Sequence, residues 1–215
     1  MRSFRDPLVD AGYIYVSMNY QLMLSGATFT TMLNDIQLAI NFLRLNADFL
    51  NLDTTQMAIM GVSAGAHLGL LYAYSRTSSI PIDVAIGLVP PVDFTDPNFM
   101  TMGAADMQLQ QMNALTGTNV ATQQQLVDEG YPQVWKDFSP VYHADTSVPT
   151  IVAYAGQDEL IPATNTPRLI DALTLNNQYI ESVFFPNSGH SLQGDPEQFV
   201  LLNALIFNNL QSFLA

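Results

Sequence analysis

A serine set between two glycines is the first feature of this sequence that could perform covalent chemistry. Ser63 lies in the run Gly61-Val62-Ser63-Ala64-Gly65, after an apolar segment at residues 57–62 and before a helical segment at residues 64–74. The pattern G-x-S-x-G between a strand and a helix is typical of a nucleophile elbow, a tight turn that presents the serine hydroxyl above a sheet. The backbone N–H of Ala64 would then lie at a helix N-terminus and could stabilise an oxyanion.

Three histidines are candidates for the base that a serine nucleophile needs. His190 follows directly after the last predicted strand, at residues 180–185. Because this places it at a strand carboxyl end, His190 is the predicted general base. His67 falls four residues past Ser63 in the same helix and cannot easily turn back to the hydroxyl, so it is interpreted as a packing or capping residue. His143 is interpreted as a loop histidine.

An acidic side chain must accept from the other imidazole nitrogen, and two candidates follow the predicted strand at residues 150–154. Asp158 is the first choice and the adjacent Glu159 is the alternative. The chain order is then Ser63, Asp158, His190, which is the order of the α/β-hydrolases and not of the chymotrypsin or subtilisin types. No histidine pair has metal-ligand spacing, and no phosphate loop or dinucleotide fingerprint follows a strand, so neither a metal nor another cofactor is expected.

The elements that must position these residues alternate between strand and helix along the chain. This alternation predicts an α/β fold with a mostly parallel sheet, helices on both faces, and chemistry at the carboxyl ends of the strands. Residues 1–215 are interpreted as one domain with a small helical, cap-like insertion at about 92–140. Strands are predicted at residues 13–19, 57–62, 83–89, 150–154 and 180–185. Helices are predicted at residues 1–11, 32–50, 64–74 and 199–213. A further helix is predicted to begin at Pro167, with Thr166 as its N-cap.

Composition restricts the partners of the chain. Six basic and 19 acidic residues give a net charge of −13, which would repel nucleic acid and anionic membranes. The absence of cysteine excludes a thiol nucleophile and a disulfide framework. The N-terminal residues do not resemble a signal peptide and no apolar run is long enough to span a bilayer, so a cytoplasmic location is expected for the chain as given.

Several stretches together resemble the esterases of the α/β-hydrolase superfamily, near the hormone-sensitive-lipase-like and acetylesterase group. The resemblance extends from about residue 8 to the end of the chain, and it implies the α/β-hydrolase fold and ester hydrolysis. The stretches are Ser17-Met18-Asn19-Tyr20-Gln21-Leu22, Gly61-Val62-Ser63-Ala64-Gly65-Ala66-His67-Leu68, Phe138-Ser139-Pro140-Val141-Tyr142, Gly156-Gln157-Asp158-Glu159-Leu160-Ile161-Pro162 and Ser188-Gly189-His190.

The sequence departs from this group at its N-terminal side. Members of the group begin with further strands and a His-Gly-Gly-Gly-type loop that supplies part of the oxyanion hole, whereas no Gly-Gly pair occurs here. The family sheet order would place a missing strand between residues 13–19 and 57–62. The gap would be closed by direct pairing, filled from another subunit, or filled by a segment of a longer gene product.

The expected function is that of a serine carboxylesterase acting on a small, short-acyl ester. The alternatives are a peptidase or acyl-sugar deacetylase with the same three residues, and a catalytically weak or inactive scaffold. A homodimer is expected because the uncharged, apolar segment 13–19 would leave an unpaired edge, and helix 1–11 would expose Phe4, Leu8 and Val9. Residues 100–112 are interpreted either as cap residues over an acyl pocket or as ordinary packing residues.

Overall fold

The computed structural model describes residues 2–102 and 105–214, so Met1 of the predicted first helix and Gly103 and Ala104 of the predicted insertion lie outside the described residues. Four parallel strands form one sheet in the order β1-β2-β3-β4. Because the neighbours are parallel, each pair of strands is joined by a helical crossover. The predicted α/β fold is confirmed. The strands are β1 (Ala58–Val62), β2 (Val84–Leu88), β3 (Thr150–Ala155) and β4 (Ile180–Phe185).

Helices precede, connect and follow these strands. None of them, within the described ranges, is long and apolar enough to cross a membrane. Short 3-10 turns lie at Met23–Ser25, Phe99–Thr101 and Pro140–Thr146. The α-helices are α1 (Arg2–Asp10), α2 (Phe29–Leu45), α3 (Ala47–Leu50), α4 (Ala64–Ser75), α5 (Ala105–Thr116), α6 (Gln123–Glu129), α7 (Gln133–Asp137), α8 (Asn165–Leu175) and α9 (Pro196–Phe213).

Apolar side chains cover both faces of the sheet. On one face, α1 and α9 pack against the strands through Phe4, Leu202 and Ile206. On the other face, Leu70 of α4 and Leu169 of α8 pack against β2 and β3. Strands that are buried on both faces need near-continuous apolar sequence, which explains why β2 and β3 contain almost no polar residue.

The segment between β2 and β3 is largely helical. Its helix α7 carries Trp135, which is fully buried in an apolar cluster that also contains side chains of α2 and α4. Met100 and Met112 are buried in the same cluster. Their burial in this cluster favours the interpretation of these two methionines as packing residues.

The strand predicted at residues 13–19 does not form, and the sheet has four strands instead of five. Tyr13 and Tyr15 pack against the α1–α9 cluster, while Ile14 and Val16 are exposed. Within the described residues, the backbone of residues 14–19 makes no hydrogen bond and β1 pairs with β2 alone. Alternating apolar residues give a segment the right surface for a strand, but a strand also needs a neighbour with a matching row of hydrogen bonds. Direct pairing of this segment with β1 is therefore also wrong.

The first helix is better packed than expected. Phe4 and Leu8 are buried, and only Val9 of the three predicted residues is exposed. Phe4 contacts Phe199 of α9 with 5.7 Å between the ring centroids. Helix α9 supplies the partner that the sequence interpretation assumed to be absent.

Several helix boundaries differ from the predicted ones: the helix predicted at 32–50 is divided into α2 and α3, and α9 begins at Pro196. Helix α2 begins at Phe29, because the Thr28 side chain accepts from the N–H of Thr31 in a reciprocal capping box. Helix α8 begins at Asn165, so Thr166 lies inside the helix and is not its cap. The buried Asn165 side chain accepts from the N–H of Val92 and so joins α8 to the loop after β2.

Candidate active site

Ser63 occupies a strained backbone position between β1 and α4. Its φ of 53° and ψ of −122° lie in a region that residues other than glycine rarely adopt. The N–H of Ser63 donates to the carbonyl oxygen of Leu88 at 2.8 Å, which fixes the turn to the end of β2. A Cβ atom on Gly61 would lie 2.2 Å from the carbonyl oxygen of Gly65, so the turn closes only because residue 61 has no side chain. The result is a serine hydroxyl held above the carboxyl edge of the sheet.

Three residues from separate loops meet at this edge. The Ser63 hydroxyl lies 2.8 Å from Nε2 of His190, in the loop after β4. Nδ1 of His190 lies 2.8 and 3.0 Å from the two carboxylate oxygens of Asp158, in the loop after β3. Since an ionised carboxylate only accepts, Nδ1–H donates to Asp158 and Nε2 accepts from the hydroxyl of Ser63. The structure thus brings together Ser63, Asp158 and His190, and it places Asp158, not Glu159, on the imidazole ring.

The surroundings of His190 favour its protonated form. The hydrogen bond to Asp158 is the largest cause that raises the pKa of His190 above its ordinary value. Partial burial opposes the rise, and the charges of Asp158 and Glu159 add to it. Asp158 is itself held in place because its Oδ1 accepts from the N–H groups of Leu160 and Ile161, each at 2.9 Å. A fixed carboxylate therefore orients the ring and stabilises a positive charge on it.

Asp195 holds the loop that carries His190, and the sequence interpretation did not identify it. Its carboxylate accepts from the N–H and side-chain amide of Asn187 at 2.9 Å each, and from the Ser188 hydroxyl at 2.7 Å. Desolvation alone would raise the pKa of Asp195, but these hydrogen bonds together outweigh it and lower the pKa. The Ser188 oxygen in turn accepts from the N–H of Gly194 at 2.9 Å. The sequence gives only a weak signal for Asp195, because an aspartate five residues after a histidine matches no motif.

Ala64 is the first residue of α4, directly after the serine. The first N–H groups of a helix have no intrahelical acceptor. The N–H of Ala64 is therefore available for a negative charge that develops on an oxygen bound to Ser63.

The other two histidines lie apart from this cluster. His67 is buried between Phe29 and Phe94, each with 4.9 Å between ring centroids, and its Nδ1 lies 2.9 Å from the carbonyl oxygen of Pro91. Burial lowers the pKa of His67 to about 4, so the ring is neutral at pH 7. His143 lies in a 3-10 turn with its Nε2 2.8 Å from the carbonyl oxygen of Asp137. Their packing and loop interpretations agree with these contacts.

A cavity of about 520 Å³ opens beside His190 on the α1–α9 side of the sheet. Its walls combine six apolar residues with three polar ones, and its volume lies in the range of small-molecule sites. Among the described residues, no group of three histidine, aspartate or glutamate side chains is placed to bind a metal ion. The residues around the cavity are Phe4, Val62, Leu88, His190, Ser191, Leu192, Gln193, Pro196 and Phe199.

A serine at a strained strand-to-helix turn, with an aspartate and a histidine after later parallel strands, defines the protein as an α/β-hydrolase. The BD-FAE family model matches residues 1–173, well over half of the chain. The chain therefore belongs to the BD-FAE family, whose members are α/β-hydrolase-type esterases, and its class is carboxylic ester hydrolase. A comparison with curated proteins finds no match.

Solved structures with the same fold include hydrolases of several kinds. A truncated carbohydrate esterase from gut microbiota gives a TM-score of 0.70 at 17% identity, over 96% of this chain and 78% of that one. A lipase/esterase from Lactobacillus plantarum gives 0.71 at 17% identity, over 98% of this chain and 78% of that one. An acylaminoacyl peptidase from Pyrococcus horikoshii gives 0.68 at 17% identity, over 87% of this chain and 28% of that one. At such identities the likeness shows the fold alone.

The close contact at the elbow gives a test by substitution. Gly61→Ala is expected to lower the free energy of unfolding by about 3 kcal/mol, the upper end of the cost of overpacking, because the new methyl group would collide with backbone atoms. Gly65→Ala is the matched control, since a Cβ there would meet no atom within 4 Å. The control should be as stable as the wild type or more stable by up to about 1 kcal/mol, because alanine favours a helix over glycine. Urea denaturation measures both, and equal stability of the two variants would contradict the described packing.

Proposed function

We propose that this protein is a serine carboxylesterase that hydrolyses small esters with short acyl groups through an acyl-enzyme. The observation that carries the proposal is the chain of hydrogen bonds from Ser63 through His190 to Asp158, with 2.8 Å at each link. A serine hydroxyl is a weak nucleophile unless a base takes its proton, and here the base and the group that orients it are both within hydrogen-bond distance.

The mechanism follows from the atoms that face one another. Ser63 Oγ attacks the ester carbonyl while its proton passes to Nε2 of His190, and the N–H of Ala64 stabilises the oxyanion. The imidazolium, stabilised by Asp158, then gives the proton to the departing alkoxide, which leaves as the alcohol. Water attacks the acyl-enzyme while its proton passes to His190. The C–O bond to Ser63 then breaks, Oγ takes the proton back from His190, and the carboxylic acid leaves.

The limit on substrates comes from the oxyanion site. One backbone donor, Ala64, is assigned to it, and loss of one donor from such a site costs about 2.7–4 kcal/mol, or 10²–10³-fold in rate. Esters with good leaving groups tolerate such a deficit, because their tetrahedral intermediates collapse readily. The cavity beside His190 has room for a small substrate.

Three alternatives to this function can be distinguished by experiment. A peptidase with the same three residues is one alternative, and an acylaminoacyl peptidase is among the proteins that share the fold. An inactive scaffold would keep the geometry and turn over neither esters nor amides. An acyl-sugar deacetylase is an esterase with a particular alcohol, and a panel of acetylated sugars would identify it.

Ser63→Ala is expected to reduce hydrolysis of p-nitrophenyl acetate by on the order of 10⁴–10⁶-fold, because the nucleophile is removed. His190→Ala should cause a similar loss and Asp158→Asn a smaller one, since the three residues act as a unit. The thermal midpoint of Ser63→Ala should be nearly unchanged, because its small hydroxyl contributes little packing. His143→Ala, at a histidine outside the site, is the matched control and should retain full activity. Full activity in Ser63→Ala would rule out the proposed nucleophile.

The enzyme is expected to cleave nitrophenyl esters far better than the matching anilides. An amide expels a poorer leaving group and depends more on oxyanion stabilisation, so a deficit of about 10²–10³-fold from the missing donor should add to the ordinary difference between the bonds. Initial rates on p-nitrophenyl acetate and p-nitroacetanilide, with Ser63→Ala as background, measure the ratio. Efficient anilide or peptide cleavage would favour the peptidase alternative.

We also propose that two copies of the chain associate through the open side of β1. Ile14 and Val16 are 60% and 52% exposed, and residues 13–20 carry no charge although the chain has a net charge of −13. An exposed apolar segment, together with the edge of β1 that has no strand partner among the described residues, favours association with another chain. A two-fold arrangement covers the same surface on both copies. The negative charge on the rest of the surface opposes association beyond a dimer.

Light scattering after gel filtration should therefore give about twice the single-chain mass of 23.7 kDa at micromolar concentration. The double substitution Ile14→Lys and Val16→Lys should yield the monomer mass. Leu175→Lys, at an exposed leucine on α8, is the matched control and should leave the mass unchanged. A single-chain mass for the wild type would exclude the dimer.

A further inference from the structure

Glu159 contacts the backbone of His190, next to the contact that Asp158 makes with its ring. Oε2 of Glu159 accepts from the backbone N–H of His190 at 3.1 Å. The imidazole is bonded to Asp158 and Ser63 instead. Two consecutive acidic residues thus hold one histidine at two different points.

Gly189 allows this contact. A Cβ atom on Gly189 would lie 2.7 Å from Oε2 of Glu159, so a side chain at residue 189 would displace the carboxylate from its present position. A further hydrogen bond, from the N–H of Gln157 to the carbonyl oxygen of Ser188 at 3.0 Å, joins the same two loops one step earlier. The loop after β3 therefore holds the loop of His190 at residues 188 and 190 and at the imidazole ring.

The support from the other side does not reach His190 directly. Asp195 bonds to Asn187 and Ser188, at the beginning of the loop. Among the described residues, Glu159 is the only side chain that accepts from the backbone N–H of His190, although the ring must stay within hydrogen-bond distance of Ser63. Small displacements of a reacting group are costly, since about 1 Å can reduce a rate by 10²-fold.

We infer that Glu159 is a positioning residue that fixes the backbone of His190 and so keeps Nε2 on the serine hydroxyl. This inference rests on the proposed esterase function, because the role is defined by the base that His190 supplies. It also gives a separate role to the residue that was the alternative carboxylate in the sequence.

The charge of Glu159 should also affect the pH dependence. The charged groups that act on His190 are Asp158 and Glu159, both from the loop after β3, and the elbow contributes the neutral hydroxyl of Ser63. Since both carboxylates stabilise the imidazolium, removal of one lowers the pKa of His190. Glu159 is exposed, so solvent screens its charge and the shift should be small.

Two substitutions separate the hydrogen bond from the charge. Glu159→Gln keeps an oxygen that can accept from His190 and loses the charge, whereas Glu159→Ala loses both. On p-nitrophenyl acetate, Glu159→Ala should lower kcat by about tenfold with little change in KM, because a misplaced base slows chemistry more than binding. Glu159→Gln should restore most of kcat, and both variants should move the acidic limb of the kcat/KM profile to lower pH.

The outcomes distinguish this inference from the function it rests on. Ser63-dependent activity together with wild-type kcat and pH profile in Glu159→Ala would overturn the positioning role alone. A larger loss in Glu159→Gln than in Asp158→Asn would also overturn it, because Glu159 would then be the partner of the ring. Activity that persists in Ser63→Ala would overturn the proposed function itself. Thermal unfolding of both Glu159 variants tests whether they fold, and a folded Glu159→Gln alone suffices to test the pH shift.

Discussion

The backbone conformation of Ser63 is the constraint on which the rest of the site depends. A non-glycine residue at φ 53° and ψ −122° costs on the order of 1–3 kcal/mol, so the surrounding structure must hold it there. The close approach of Gly61 to Gly65 and the hydrogen bond to Leu88 do so from opposite sides of the turn. Because β1 is paired with β2 and α4 is buried in the core, the strain cannot relax without displacing a strand or a helix. The direction of the Ser63 hydroxyl is therefore fixed by the packing of the sheet and of α4.

The register of the sheet brings the other residues to that hydroxyl. Ala155 at the end of β3 lies opposite Phe185 at the end of β4, so the loops with Asp158 and His190 leave the sheet side by side. Backbone and side-chain hydrogen bonds then run between these loops, from the N–H of Gly156 to Phe185 and from Gln157 to Ser188. Parallel strands supply the common edge, and contacts between the loops supply the final alignment.

The sequence was sufficient to predict short motifs and strands that are buried on both faces. Four strands, the elbow around Ser63 and the position of His190 after the last strand follow from apolar runs and short motifs. The segment at 13–19 was predicted wrongly, since its alternation resembles that of a strand but its hydrogen bonds would depend on a distant neighbour. The roles of Asp195 and Asn165 were missed for a related reason: each is a polar residue whose partners are fixed only after folding. The packing of Phe4 on Phe199 depends on two residues at opposite ends of the chain.

The burial of His67 has a consequence for acid tolerance. In the unfolded chain this imidazole binds a proton below about pH 6.5, whereas in the folded protein it resists protonation until about pH 4. Its contribution to stability is therefore complete above pH 6.5 and declines as the pH falls towards 4, because only the unfolded chain gains the proton. His67 belongs to α4, the helix that begins directly after Ser63. A weakly acidic solution therefore destabilises the fold around α4, the helix that follows Ser63, at a pH where most exposed carboxylates are still ionised.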